Sequence, residues 1–134
     1  NKKYDLIACN PPFFANSTKA SNQSRTTARH NDGLPFTDLI NAVVRLLNPK
    51  GRFSAILPID EGNQFIDLAK KKSLHLNRKC LVKPNPNRNP KRVLMEFSFN
   101  QSKIIEEQIT IETENRHEYT KEYITLTKDF YLKF

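Results

Sequence analysis

The sequence predicts an α/β fold of the doubly wound kind, in which helices pack on a mainly parallel sheet. Three observations lead to this prediction. A short apolar run near the start suits a buried strand, helical patterns alternate with further strand-like runs, and proline or glycine ends most of these segments. A hydrophobic content of 37% and a charged content of 27% are ordinary for a globular protein, and 134 residues predict a single domain over residues 1–134.

The first predicted strand is residues 4–9, Tyr-Asp-Leu-Ile-Ala-Cys. Its short apolar character is typical of a strand covered on both faces in a parallel sheet. Asn10, Pro11 and Pro12 end it, because neither proline can donate to a strand ladder. Residues 14–34 then form a long polar stretch without a clear period, and loops of this length are usually functional or disordered.

The middle of the chain predicts two helices that alternate with strands. Thr37 or Asp38 can cap the first helix, which the Asn-Pro-Lys-Gly sequence at 48–51 would end. The second helix is expected over about residues 62–71. The apolar face of the first helix is expected to comprise Leu39, Ile40, Val43, Val44 and Leu47, and that of the second Phe65, Leu68 and Ala69.

The remaining segments predict further strands and a closing helix. Residues 53–57, 75–82 and 93–99 predict three strands, and Ile109 with Ile111 predicts a short fourth. The tail is expected to form a helix that packs on the sheet, with Tyr119 in the core. Its helical spacing is carried by Tyr123, Leu126, Phe130 and Tyr131.

The carboxyl ends of strands are where doubly wound sheets bind ligands, and Asn10-Pro11-Pro12-Phe13 lies at such an end. The Asn10 side-chain oxygen and the Pro11 carbonyl can accept both hydrogens of an exocyclic amine, which favours the pyramidal nitrogen of a methyl-transfer transition state. The two prolines stiffen the turn, and Phe13 offers a face on which a flipped purine can stack. The alternative is an ordinary proline-terminated strand with a packed phenylalanine; the strand context favours catalysis.

Residues 5–14, Asp-Leu-Ile-Ala-Cys-Asn-Pro-Pro-Phe-Phe, resemble the catalytic motif of amino-methyltransferases that act on adenine, guanine or glutamine. The resemblance extends over essentially the whole chain. It is similar to the family of bacterial tRNA1(Val) adenine-N6 methyltransferases, which modify the adenine beside the anticodon. The segments that carry this similarity are residues 28–30, 46–53, 56–58, 91–94, 119–123 and 128–132.

This resemblance implies a Rossmann-like methyltransferase sheet with antiparallel edge strands and a C-terminal helix. It implies methyl transfer from S-adenosylmethionine to an adenine N6 amine in tRNA. In that family a glycine-rich turn and an acidic residue hold the donor, whereas the three glycines here form no such turn. We therefore expect a partial catalytic domain, the C-terminal half without the cofactor-binding half, inactive alone. Asn10 would be its contribution to the donor side. The start at Asn1, without methionine, also suggests a fragment.

A net charge of +8 and a sequence pI of about 9.6 favour a polyanionic partner, although a solvated basic surface would show the same surplus. With the resemblance, tRNA is the expected partner. Arg29 could equally anchor its loop, and Arg92 could equally be structural. The candidates for contacting substrate or RNA are Phe14, Arg25, Arg29 and His30 in the long loop and Arg88, Lys91 and Arg92 around the proline-rich segment 83–91.

Two other functions remain open at this point: a release-factor glutamine N5-methyltransferase and a non-catalytic RNA-binding module. The spacing of the histidines and of Cys9 and Cys80 predicts no metal site. No apolar run is long enough for a membrane span and no signal peptide opens the chain, so a cytoplasmic location is expected. A half-sheet would expose its first strand as an apolar edge, which predicts pairing of two copies.

Overall fold

A computed structural model describes residues 1–12 and 35–133 of the chain. In these ranges strands and helices alternate and then give way to further strands before a last short helix. In chain order the elements are β1 (Tyr4–Cys9), α1 (Phe36–Leu46), β2 (Leu47–Pro58), α2 (Ile59–Lys70), β3 (His75–Lys83), β4 (Arg92–Ser98), β5 (Ile105–Thr110) and α3 (Lys121–Thr127).

The described strands form one mixed sheet in the order β1-β2-β4-β3-β5. β1 runs parallel to β2, β3 runs parallel to β5, and β4 is antiparallel to both of its neighbours. The α/β class is confirmed, but the expectation of antiparallel edge strands is wrong, because the antiparallel strand is interior. Helix α2 connects β2 to β3, which runs parallel to β2 but is not its neighbour. β4 lies between these two strands and pairs with both.

One face of the sheet and helices α1 and α2 enclose the core. Every second residue of β2 and β4 points into it, so that Phe53 pairs with Phe97 and Leu57 with Val93. Phe65 of α2 lies fully buried at the centre, with its ring centroid 6.0 Å from that of Phe53 and 5.5 Å from that of Phe97. Edge-to-face and tilted contacts of this kind add to the stabilisation from burial.

The opposite face of the sheet is largely open. Leu6 is 59% exposed and Leu94 is 42% exposed, and helix α3 covers only the side near β5, where Ile109 is buried. The expectation that β1 is covered on both faces is therefore wrong. Ile7 and Cys9 pack against the core, while the alternate residues of this edge strand face away from α1 and α2.

The ends of the first helix differ from the sequence prediction. Neither Thr37 nor Asp38 caps α1; the N-cap is Pro35, whose carbonyl accepts hydrogen bonds from the Asp38 and Leu39 N–H groups at 3.0 and 3.2 Å. Leu47 is not on the helix but is the buried first residue of β2. Since β2 begins directly after the last helical residue, Leu46, no loop separates α1 from β2, and Pro49 lies within the strand.

The other boundaries move by a few residues. Helix α2 begins at Ile59 rather than near Gly62, because Pro58 has the fixed φ that suits the residue before a helix. β3 and β4 agree with the predicted strands to within one residue at each end. The short strand ends before Ile111, whose N–H instead bonds to the Lys83 carbonyl at 2.9 Å.

The expected helix in the tail is present and contacts β5, but the expectation that the tail reaches the core is wrong. Helix α3 has no buried residue and ends at Thr127, and Phe130 beyond it is 85% exposed. Tyr119 is half-buried rather than in the core. The hydroxyl groups of Tyr123 and Tyr131 lie 3.4 Å apart, and this hydrogen bond raises the pKa of Tyr123 to about 12.

No helix in the described parts of the chain is long and apolar enough to cross a bilayer.

Candidate functional site

The topology gathers the candidate residues at one edge of the sheet. β1, β2, β3 and β5 all point the same way, so their carboxyl ends meet at this edge. β4 runs the other way and contributes its first residue, Arg92, which pairs with both Pro58 and Val82. This edge, which we call the carboxyl edge, therefore carries the Asn-Pro-Pro motif and the two connections that follow β3 and β5.

A recess of about 430 Å³ lies directly beside the motif. It is lined by Asn10, Pro11 and Pro12 from the end of β1, by Ile56 of β2 and by Arg92. Pro11 is buried whereas Asn10 and Pro12 are exposed. The buried Pro11 ring fixes the turn. The Asn10 amide and the Arg92 guanidinium border the same opening. The sequence places these two residues 82 positions apart (92 − 10) and gives no sign that they meet.

The proline-rich segment at 84–91 is ordered by its own hydrogen bonds. The Asn85 carbonyl accepts from the Arg88 N–H at 3.3 Å, and the Asn85 side chain accepts from the Asn87 N–H at 3.0 Å. The Lys83 ammonium group donates to the Pro86 carbonyl at 3.1 Å, and the Lys91 N–H donates to the Val82 carbonyl at 2.9 Å. This turn holds the exposed side chains of Arg88 and Lys91 at the carboxyl edge.

A second turn, at residues 112–119, lies beside this segment. The Glu118 carboxylate accepts from Asn115 Nδ2 at 2.8 Å and from Thr113 Oγ1 at 3.1 Å. These hydrogen bonds lower the pKa of Glu118 from its ordinary value, because they favour the charged form. The neighbouring His117 has a φ of 67°, a left-handed conformation that is uncommon without glycine.

The open face of the sheet forms a wider recess of about 940 Å³ that reaches Asn10 and Cys9 at one end and helix α3 at the other. The Arg78 guanidinium and the Glu107 carboxylate on this face bond at 2.7 and 2.9 Å. This bond raises the pKa of Arg78 and lowers that of Glu107. Burial raises the pKa of the Cys9 thiol, which argues against a reactive thiolate there.

Neither of the described glycines, Gly51 and Gly62, offers the open backbone of a donor-binding turn. A donor-binding turn needs glycines on which a ligand can approach the backbone. A Cβ on Gly62 would meet the Val93 side chain, and one on Gly51 would meet the Leu47 side chain and the Tyr4 carbonyl, so both glycines make room for protein atoms. Within residues 1–12 and 35–133, no group of histidine, cysteine and acidic side chains is arranged to hold a metal ion.

The structure thus brings four of the predicted site residues near one another along the carboxyl edge and adds one that the sequence prediction missed. Asn10, Pro11, Pro12 and Arg92 share a recess, while Arg88 and Lys91 line a second one with Arg116. Arg116 lies in a polar stretch without periodicity. The only sequence signal for it is that it is an arginine within the acidic turn at 112–119. Outside the described residues lie Phe13, Phe14, Arg25, Arg29 and His30.

Comparison with solved structures concerns the fold. A crystal structure of a predicted O-methyltransferase from Agrobacterium tumefaciens superposes on 69% of the chain with a TM-score of 0.60 and 16% sequence identity, and the match covers 45% of that protein. At this identity the likeness concerns the fold alone. The chain accordingly shares the α/β sheet of this neighbour, and its Asn-Pro-Pro motif lies at the carboxyl end of the edge strand β1.

Comparison of sequences is more specific. A tRNA1(Val) (adenine(37)-N6)-methyltransferase of Bacteroides fragilis is 43% identical over 131 residues, which are 98% of this chain and 55% of the relative. One of Trichodesmium erythraeum is 44% identical over 133 residues, or 99% of this chain and 55% of the relative. The chain is thus similar to the bacterial tRNA1(Val) (adenine(37)-N6)-methyltransferases over nearly its whole length, and it spans about half the length of these relatives. No protein-family model matches it.

Proposed function

We propose that the protein methylates the exocyclic N6 amine of an adenine in tRNA, next to the anticodon. The observation that carries this proposal is the position of Asn10-Pro11-Pro12 at the carboxyl end of β1, beside a recess open to solvent. The names of the relatives support the substrate. A tRNA substrate also favours a cytoplasmic location.

In this proposal Asn10 and Pro11 prepare the amine. The Asn10 side-chain oxygen and the Pro11 carbonyl accept one N6 hydrogen each, which favours a pyramidal nitrogen whose lone pair is no longer delocalised into the ring. The nitrogen would use that lone pair to form the new N–C bond while the bond between the methyl group and the donor's sulfonium sulfur breaks, and the donor would leave as a neutral thioether. The nitrogen afterwards loses one proton to solvent, so no general base is needed. Because Pro11 is buried, the acceptors are held in place before the substrate arrives, and little reorganisation remains for the reaction.

Arg92 is the proposed substrate-binding residue within the same recess. Its backbone is paired on both sides, to Pro58 in β2 and to Val82 in β3, so its Cα position is fixed. Its side chain is exposed at the opening. A guanidinium there suits a phosphate next to the flipped adenine, because arginine binds phosphate with paired donors. Phe13 would stack on the base. Phe14, Arg25, Arg29 and His30, which also lie outside the described residues, are proposed as further contacts to the substrate or the RNA.

S-adenosylmethionine is the proposed methyl donor. Since the described glycines are packed against protein atoms, we infer that other residues of the full-length protein hold it. Calorimetric titration should therefore show no S-adenosylmethionine binding by the 134-residue chain and micromolar binding by the full-length protein. Equal binding by both would contradict this placement.

The function is tested by offering the full-length protein three methyl acceptors: unmodified tRNA, release factor and duplex DNA. With a labelled donor we expect label only in tRNA, recovered as N6-methyladenosine after nuclease digestion. Label in release factor would overturn the proposal in favour of the glutamine N5-methyltransferase. Label in duplex DNA would overturn the tRNA substrate.

A non-catalytic RNA-binding role is the second candidate for the 134-residue chain by itself. It is favoured by the several exposed cations at the carboxyl edge. On this alternative the isolated chain binds tRNA with strong salt dependence but transfers nothing. Methyl transfer by the isolated chain would exclude it.

A further inference from the structure

A cleft of about 520 Å³ lies between the two turns at the carboxyl edge. One wall is the turn at 84–91, with Arg88 and Lys91, and the other is the turn at 112–119, with Arg116. All three cationic side chains are exposed. The other residues that line the cleft are Pro84, Asn85, Glu112, Thr113 and Glu114.

Backbone hydrogen bonds join the two walls. The Glu112 N–H donates to the Pro84 carbonyl at 2.9 Å, and the Ile111 N–H donates to the Lys83 carbonyl at the same distance. The Thr113 N–H closes the second turn by donating to the Glu118 carbonyl at 2.8 Å. The backbones that carry the cations therefore do not have to be ordered on binding, which lowers the entropic cost of engaging a ligand.

The cleft is too far from the motif to hold the target base. The cleft is formed by the segments that follow β3 and β5, whereas Asn10 follows β1 at the opposite side of the sheet. With about 4.8 Å between neighbouring strands, β5 is roughly 19 Å from β1. A ligand that reaches both places must be a long polyanion, and Arg92 on the central strand β4 lies between them.

We propose that Arg116, together with Arg88 and Lys91, binds the sugar-phosphate backbone of the RNA at a distance from the methylated adenine. This inference rests on the proposed function for the identity of the partner. Glu112 and Glu114 disfavour a small free anion, which would lie close to both carboxylates inside the cleft. An extended backbone can place its phosphates against the exposed cations at the rim and keep them away from the carboxylates.

The test measures binding of unmodified tRNA to the full-length protein between 50 and 200 mM salt by fluorescence anisotropy. Arg116→Ala should weaken binding about 3- to 10-fold at the low-salt end and reduce the slope of log K against log salt by about one, since one phosphate contact is lost. Arg45→Ala is the matched control, because Arg45 is an exposed arginine in the last turn of α1, at the opposite edge of the sheet. It should bind like wild type.

Two further variants separate charge from folding. Arg116→Lys keeps the charge and should recover most of the affinity. Glu114→Gln removes a negative charge from the same cleft and should tighten binding, a change in the direction that damage to the fold would not give. Wild-type affinity and slope in Arg116→Ala, or no effect of Glu114→Gln, would overturn the proposal.

The methylation assay is run on the same proteins, so that the two proposals fail separately. If wild type methylates tRNA and Arg116→Ala binds it equally well, only the cleft is refuted. If tRNA binding depends on Arg116 but no methyl group is transferred to tRNA, only the proposed function is refuted.

Discussion

Asn10 is exposed and Pro11 directly after it is buried, and this contrast matters for the chemistry proposed at the motif. A side chain in solvent loses orientation unless its backbone is fixed. Here β1 pairs with β2 up to Cys9, opposite Ala55, and the two prolines fix φ immediately afterwards. The amide can therefore be replaced without disturbing the core, which makes it a suitable residue to test.

We expect Asn10→Ala in the full-length protein to lower the turnover number about 10²-fold or more, as for the loss of one preorganised hydrogen-bond partner of a transition state. The affinity for tRNA should change little, because the lost contact forms mainly in the transition state. Steady-state kinetics and tRNA binding measure the two quantities. Asn63→Ala, an exposed asparagine on α2, is the control. Turnover close to normal in Asn10→Ala would remove Asn10 from the mechanism.

At the residue scale the sequence predicted the motif but not its surroundings. Asn10-Pro11-Pro12 is contiguous and follows an apolar run, so its position at a strand end could be inferred. Arg92 could be named only as one of several cations, because its meeting with the motif depends on β4 lying next to β2. Arg116 could not be found at all, since nothing local to an acidic turn indicates which cations will face it.

The turn at 112–119 is a short element held largely by polar contacts, and its acid sensitivity follows from Glu118. The pKa of this carboxyl is lower in the folded turn than in the unfolded chain, where it is about 4.3. Its stabilising contribution is therefore fully present above that unfolded value and is lost as the pH falls through the lowered folded value.

We therefore expect the Thr113 amide to lose its protection from hydrogen exchange as the pH falls through the lowered pKa of Glu118 and this carboxylate is protonated. Amide exchange followed by NMR, corrected for the intrinsic pH dependence of exchange, measures this. In Glu118→Gln, where the side chain still accepts but does not titrate, the protection should be independent of pH in this range. Glu114→Gln should behave like wild type. An identical pH response in wild type and Glu118→Gln would contradict the assignment.

Helix α2 depends on the absence of a side chain at Gly62. A Cβ there would collide with Val93, which is buried in β4. Although alanine gains about 1 kcal/mol over glycine in helix propensity, we expect Gly62→Ala to destabilise the protein by about 1–2 kcal/mol net, because overpacking costs about 1–3 kcal/mol or more. Urea unfolding measures the change. Asn63→Ala should leave the free energy of unfolding unchanged. Val93→Ala should lower the free energy of unfolding less in the Gly62→Ala variant than in wild type. A stabilised Gly62→Ala would refute the close packing.

At the scale of elements, patterning predicted β3 and β4 well because their apolar residues alternate with the period of a half-buried strand. It failed at the join of α1 and β2. The Asn-Pro-Lys-Gly sequence at 48–51 is typical of a loop. Strand β2 nevertheless starts at Leu47, because Leu47 pairs with Tyr4 of β1. Tertiary pairing overrides the local turn signal there.

Across the whole molecule, β1 is an edge strand and one face of the sheet beside it is open. Unpaired strand edges with exposed apolar side chains favour association. We propose that the 134-residue chain by itself forms dimers through this edge.

Light scattering after gel filtration should show the 134-residue chain as a dimer at micromolar concentration. Leu6→Lys places a charge on the exposed edge and should shift the chain to monomer, because Leu6 is 59% exposed and its loss leaves the core intact. Leu132→Lys, an exposed leucine in the tail, is the matched control and should leave the mass unchanged. A wild-type monomer at this concentration would contradict the proposal.

The central position of β4 has a consequence for the order in which the chain can fold. β2 and β3 are made before β4, yet neither pairs with the other, and both pair with it. A nascent chain that has not yet released residues 92–98 from the ribosome therefore holds two strands separated by a gap one strand wide. Only the arrival of Arg92–Ser98 joins them into a continuous sheet and aligns Arg92 with the end of β1. Until then the polypeptide exposes three strand edges that later pairing covers, one of β2 and both of β3, in addition to the outer edge of β1. This interval is when it is most open to chaperones and to misassembly.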